Sequence, residues 1–224
     1  ILGLAAGVRL TSNDMLHKGD WITVKSVDAN GIVEDMSLTT VKVRNFDNTI
    51  VTISPATLVN GSFQNWIGMQ KSGGRRAKRI VYFDFRSIRL VDETLKQTLL
   101  AKHFATEDSF KLKESLQKAI EKDIQEGKDI EDLKNPAALA PTNLQLYRRF
   151  MEKYLRQRPE VNTELTLMVR HMEATQCGLP IEFYFFIKDK VWVNYEHILA
   201  DIMEHAYALA NEFGLKIYEQ YPEQ

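Results

Sequence analysis

Residues 20–66 break into short apolar runs separated by turn residues, and that rhythm leaves room for little except a small antiparallel β unit. Trp21-Ile-Thr-Val24 is the first run, entered through Lys18-Gly19-Asp20. Asp28-Ala-Asn-Gly31 supplies a turn in which Asn-Gly suits positive φ. Ile32–Met36 and Thr39–Arg44 follow, the latter alternating Thr39, Val41, Val43 against Thr40, Lys42, Arg44. Phe46-Asp-Asn48 turns into Thr49–Ile53, and Pro55, which cannot donate to a ladder, ends that run. About five strands in about 50 residues predict a barrel or sandwich.

The segment before this unit, Ile1-Leu-Gly-Leu-Ala-Ala-Gly-Val8, is apolar but too short to span a bilayer, and no run of about 18 apolar residues exists in the chain. No charged stretch precedes it as in a secretion signal. The chain opens on Ile rather than Met, so the segment is expected to be the end of a longer hydrophobic helix. Gly3 and Gly7 stand four apart and share a helical face. They either permit close helix packing or mark a helix end of poor propensity, since Gly costs about 1 kcal/mol against Ala.

At 224 residues the chain can bury one large core or two modest ones. Its 44% hydrophobic and 26% charged residues argue against disorder and against a membrane protein within the residues shown. The net charge of −1 weighs against a dedicated nucleic-acid binder. A single cysteine, Cys177, excludes an intrachain disulfide framework and a Cys-rich zinc site, and suits a reducing compartment.

Lys71, Arg75, Arg76, Lys78 and Arg79 cluster around Gly73-Gly74. They read as a solvated basic linker over 69–78, or as an anion-attracting patch at a portal or subunit seam. No Gly-Lys-Ser/Thr follows, so nucleotide chemistry is unsupported. Arg79–Asp84 then reads as a strand, and Asp92 as the N-cap of a helix carrying Leu95 and Leu99. Leu112, Leu116, Ile120 and Ile124 recur every four residues and predict an apolar helical stripe. After the breaks at Asn135-Pro136 and Pro141, a second helix carries Leu144, Tyr147, Phe150, Met151 and Tyr154. Glu164–Met172 alternates like a strand, and Ile181–Ile187 is continuously apolar, as expected of a central strand. The last helix turns Ile198, Ile202, Ala206, Leu209 and Phe213 inward and ends at Gly214. The fold class expected is α+β: a small Sm-like antiparallel β-barrel, then an α+β domain with a helical insert.

Little here carries chemistry. None of His17, His103, His171, His197 and His205 sits in a metal-ligand motif, although His197 and His205 stand two helical turns apart. Cys177 lies in an expected hairpin with no base marked beside it. Phe183-Tyr-Phe-Phe186, Trp192 and Tyr195 suit core packing better than base stacking. No enzyme activity, cofactor or metal is expected.

In order and spacing, Leu4-Ala-Ala-Gly-Val8, Gly19-Asp20-Trp21-Ile22, Gly31-x-Val33-Glu34, Thr40-x-x-Val43-Arg44 and Asp47-Asn48 resemble the small-conductance mechanosensitive channel family. The family's Ile-Pro-Asn is here Ile53-Ser54-Pro55-Ala56. That departure, with Ser62-Phe-Gln-Asn-Trp66, Gly73-Gly-Arg-Arg76 and the insert, is similar to the mini-conductance branch. Gly214-Leu-Lys-Ile217 resembles the family's closing strand.

The resemblance implies four segments: the end of a pore-lining helix over 1–15, the β-domain over 16–68, the basic linker over 69–78 and an α/β domain over 79–224 with its insert at 105–160. It further implies a homoheptamer joined to the lipid bilayer through preceding helices, passing ions, in a bacterial inner membrane with this portion in the cytoplasm. Ile1, Gly3, Leu4, Gly7 and Arg9 would lie near the pore, with Ile1 and Leu4 at or below an apolar gate. Gly19, Asp20, Trp21, Gly31, Glu34, Arg44, Asp47, Asn48 and Pro55 carry the β-domain pattern, with Gly19 and Gly31 serving turns.

Two other classes compete. A soluble Sm-like RNA- or ligand-binding module predicts salt-dependent nucleic-acid affinity, which near-zero net charge disfavours. An enzyme predicts a pocket of convergent titratable groups. The channel reading predicts several apolar spans of about 20 residues upstream of Ile1. Reading the upstream frame checks this, and a start codon close to Ile1 would contradict it.

Overall fold

The computed structural model describes residues 2–111, 118, 121–122, 124–127 and 140–220. The chain divides into two compact units, residues 1–72 and 73–224.

The first unit opens with helix α1 (Leu2–Ser12). Strands β1 (Trp21–Val24), β2 (Ala29–Met36), β3 (Val41–Asn45) and β4 (Ile50–Ile53) follow. The short helix α2 (Pro55–Asn60), strand β5 (Gln64–Asn65) and helix α3 (Ile67–Lys71) complete it. The strands form one antiparallel sheet in the order β4-β3-β2-β1-β5. Alternation decides which face is buried: Ile22, Val24, Val33, Val41 and Val43 point into a core that Leu10 of α1 and Leu58 of α2 also enter. Ser54 caps α2, its hydroxyl accepting from the Thr57 amide at 3.2 Å. Pro55 therefore opens a helix as well as ending the ladder, at the position where its missing N–H costs nothing.

The expected turn is built differently. Asp28, at φ 52°, takes the left-handed conformation, and Asn30 and Gly31 are already paired in β2. Gly31 does not serve a turn. A Cβ there would lie 1.9 Å from the Arg44 carbonyl oxygen, so its role is the close approach of β2 and β3.

In the second unit β6 (Arg75–Phe83), β7 (Met168–His171) and β8 (Leu179–Ile187) form an antiparallel sheet in the order β6-β8-β7. Helices α4 (Glu93–Ala101), α5 (Asn143–Gln157) and α6 (Trp192–Glu212) accompany it. Ile181, Phe183, Phe185 and Ile187 of central β8 meet Tyr147, Met151 and Leu155 of α5 and Leu199, Ile202 and Ala206 of α6 in one core. Asp92 caps α4 as expected, its carboxylate accepting from the Leu95 amide at 2.8 Å. Gly214 follows α6 at φ 67°. The closing segment reaches the free edge of β6 through a bridge between Phe83 and Ile217.

Two boundaries shift. The strand expected at Arg79 opens at Arg75, so most of the basic run is strand rather than linker. Residues 143–157 are a core helix rather than part of an insert, with Tyr147, Met151 and Leu155 fully buried. Of the expected stripe, Leu112, Leu116 and Ile120 lie outside the described residues, and Ile124 is exposed.

Asn143 ties this unit together. Its side chain is fully buried. Nδ2 donates to the carbonyls of Ser87 at 2.8 Å and Phe213 at 3.1 Å, and Oδ1 accepts from the amides of Arg89 at 3.0 Å and Leu144 at 2.9 Å. A buried polar group left unpaired costs about 1–3 kcal/mol. Asn143→Leu orphans several at once and is expected to lower stability by about 3 kcal/mol or more. Urea unfolding followed by fluorescence checks this; a loss below about 1 kcal/mol would contradict it.

Candidate functional site

Of the residues expected near a pore, Gly3, Leu4, Gly7 and Arg9 lie on α1. Ala6, Gly7 and Leu10 face the rest of the first unit, whereas Leu4 and Val8 are half exposed and Arg9 is exposed. Gly7 is fixed by contact: a Cβ there would sit 2.0 Å from the Leu38 carbonyl oxygen. Gly3 has open space around it, so the two glycines do different work despite their shared face. The Thr11 hydroxyl donates to the Gly7 carbonyl at 3.0 Å. The helix end thus offers an outward apolar strip, Leu4 and Val8, while its inner strip is anchored. Ile1 lies outside the described residues.

The β-domain pattern sets turns and register. Gly19 sits at φ 94° and donates its amide to the Val33 carbonyl at 2.9 Å. Asp20 is buried; its Oδ2 accepts from the His17 amide at 3.0 Å and from Asn65 Nδ2 at 2.8 Å, joining the turn before β1 to β5. Trp21 stacks on Trp66 with centroids 4.5 Å apart and meets Phe46 edge-on at 5.3 Å. Glu34 and Arg44 form an ion pair at 2.5 Å across β2 and β3, where the register shifts. Asp47 accepts from the Thr49 amide at 2.9 Å and hydroxyl at 2.6 Å, bonds that hold its carboxyl below the usual range. Asn48, at φ 67°, completes that turn. A cavity in this unit lined by Lys25, Ser26, Ser62 and Gln64 involves none of these residues. Missed in the sequence was Asn45, whose Oδ1 accepts from the Asn30 amide at 2.8 Å.

Strand geometry divides the basic run. Lys71 ends α3, in the first unit. On β6, Arg76 and Lys78 face one side of the sheet, beside Tyr184 and Glu182 of β8; Arg76 Cζ is 5.9 Å from the Tyr184 ring. Arg75 and Arg79 face the other side. There Arg75 Cζ lies 4.3 Å over the Tyr195 ring, and Arg79 pairs with Glu196 at 3.8 Å. Gly73-Gly74 packs closely against its neighbours. A Cβ on Gly74 would lie 2.9 Å from the Ile187 carbonyl oxygen, and Asn162 Nδ2 donates to the Gly73 carbonyl at 2.9 Å.

Glu182 is the electrostatic centre of the outer sheet face. It is fully buried, with Arg170 Nε donating at 2.6 Å to one carboxylate oxygen and Lys78 Nζ 3.3 Å from the other. The Arg170 bond, joined by that of Lys78, outweighs burial and holds the carboxyl below its ordinary value of 4.5. Arg76, Lys78 and Arg170 against Glu182 leave this face with excess positive charge.

His205 Nδ1 lies 2.7 Å from the Asp201 carbonyl oxygen and the ring stacks on Tyr154, away from any ligand role with His197. Among the described residues no group of three His, Cys, Asp or Glu side chains is placed to hold a metal, and no helix is long and apolar enough to cross a membrane. Cys177 is exposed in the β7–β8 hairpin.

Residues 1–68 match the family model of the mechanosensitive ion channel β-domain. The whole chain shares its fold with solved channels. Arabidopsis thaliana MSL1, solved by cryo-EM, aligns at TM-score 0.62 and 11% identity over 98% of this chain and 58% of its own. The closed-state crystal structure of Helicobacter pylori MscS aligns at TM-score 0.57 and 11% identity over 100% of this chain and 64% of its own. The chain therefore spans about three fifths of those chains. The family match thus covers the first 68 residues, and the likeness of the remainder to these structures is one of fold.

The lowered pKa of Glu182 fixes a pH dependence. A carboxylate whose folded pKa is depressed contributes stability above its unfolded pKa, and loses it as pH falls through the folded value. Glu182→Gln is expected to flatten the acid limb of stability, measured as urea midpoints between about pH 6 and about pH 3. An unchanged slope would contradict the assignment.

Proposed function

From a chain whose first third carries a mechanosensitive-channel β-domain, we propose that it forms the part of a tension-gated channel lying below the pore. In this reading α1 is the end of a pore-lining helix, and the first unit forms a ring with its copies in a homoheptamer. The second unit builds the wall of a vestibule, and basic residues 71–79 border its openings. The channel sits in a cell membrane, with this portion on the cytoplasmic side, and releases ions and osmolytes under hypoosmotic stress.

The observation that carries the reading is that the β-domain match over residues 1–68 takes in all of α1, and that α1 shares a core with the sheet through Leu10. A helix end buried in the sheet's core moves with the sheet. A pull on the helix therefore becomes a displacement of the β-domain.

Tension shifts the closed–open equilibrium only by the difference in its coupling to the two states, here their difference in membrane area. The apolar strip of Leu4 and Val8 lies at or just below a constriction that closes by dewetting. Arg76, Lys78 and Arg170 raise the local anion concentration at the vestibule wall, within a Debye length of about 8 Å.

The test is a charge on the apolar strip. In patch recordings of the full-length channel, Leu4→Asp is expected to hydrate the pore and leak at resting tension. A closed state indistinguishable from wild type would remove α1 from the pore.

A further inference from the structure

In the second unit a cavity of about 440 Å³ opens beside α5. That is the size of a small-molecule site. Arg149, Phe150, Lys153 and Tyr154 contribute one stripe of its wall. Residues three and four apart on a helix face the same way, so the spacing sets two cations alternately with two aromatic rings. The segment leaving α4 supplies the other side, with His103 in the left-handed conformation at φ 58° and Phe104 meeting Phe150 edge-on at 5.2 Å. Thr106 and Ser109 add hydroxyls at the rim, 3.3 Å apart.

The charges are unbalanced. Among the described residues no Asp or Glu lines the cavity. Arg149 and Lys153 are exposed and have no ion pair or hydrogen bond among the described residues. Like charges four apart on a helix repel, and a solvated helix face would interleave them with acidic or neutral polar residues. Here they alternate with rings that form the wall of a concavity. Tyr154 is held in place by the His205 ring stacked at 5.8 Å and by Arg158 Cζ, also at 5.8 Å.

We propose that this cavity binds a small soluble organic phosphate, its anionic head between Arg149 and Lys153 and its apolar body against Phe150 and Tyr154. A guanidinium offers a planar fork to phosphate oxygens, and a lysine offers a mobile point charge. The proposal stands apart from the channel reading, because it uses no residue assigned to the pore or the sheet face.

Isothermal titration of the 224-residue chain with phenyl phosphate, inorganic phosphate and benzyl alcohol tests it. Phenyl phosphate is expected to saturate one site. Inorganic phosphate is expected to bind about tenfold more weakly or worse, for want of the ring contact, and benzyl alcohol not at all. The double variant Arg149→Gln/Lys153→Gln is expected to weaken phenyl phosphate about tenfold or more at an unchanged melting temperature. Lys25→Gln, at a cavity of the other unit, is expected to leave binding intact and so controls for general charge. No saturable binding of phenyl phosphate, or equal affinity in the double variant, would overturn the site. Equal affinity for phosphate with and without the phenyl ring would overturn the apolar half.

Discussion

Leu10 sits at zero exposure in a core shared with Ile22, Val33, Val41, Val43 and Leu58. Burying such a side chain is worth about 1.5–3 kcal/mol, and it belongs to the helix as much as to the sheet. Three residues earlier, Gly7 lets the helix backbone lie against the Leu38 carbonyl, at a distance no side chain could share. These two contacts decide how α1 leaves the sheet, and therefore that Leu4 and Val8 face outward. Without them the helix end would be joined to the sheet only through the chain that leads into β1.

The second unit solves a different problem. Its central strand β8 is buried along its length, so the one charged residue on it, Glu182, must be paired. Lys78 and Arg170 from the flanking strands do this. The cost of a buried carboxylate is thereby met by cations that leave the outer face with excess positive charge. On the opposite face the helices cover Ile181, Phe183 and Phe185, and Asn143 fastens the start of α5 to the end of α6.

How much of this was legible depended on whether burial left a period in the sequence. β1 to β4 read as short runs between turn residues, and β3, which buries Val41 and Val43, read by alternation. The caps at Asp92 and Gly214, whose chemistry is local, were legible too. The start of β6 was hidden because Arg75-Arg-Ala-Lys-Arg79 is cationic on both faces, with Ala77 alone buried. Its cations rest on rings and carboxylates brought from β8 and α6. Gly31 looked like a turn residue because Asn-Gly usually is one; its reason, the Arg44 carbonyl, comes from the next strand. Asn143 follows the capping Thr142 and looks like a helix-start residue, but three of its four partners are 54 to 70 positions away. Of the candidate site, the roles of Gly19, Asp20 and Asp47 in turns were visible. The link from Asp20 to Asn65 and the seat of Gly7 were not.

The competing soluble-module reading predicts salt-dependent nucleic-acid affinity. Residues 1–68 match the mechanosensitive ion channel β-domain model, and the fold is shared with solved structures of 11% identity. The central claim is mechanical: α1 and the β-domain open together. Native-state hydrogen exchange on the full-length protein tests it most directly, by comparing the opening free energies of the α1 amides near Leu10 with those of β2 and β3. The account predicts that they coincide and fall together when Leu10 is cut back to alanine. An α1 that exchanges at much lower free energy than the sheet, and is indifferent to Leu10→Ala, would contradict it.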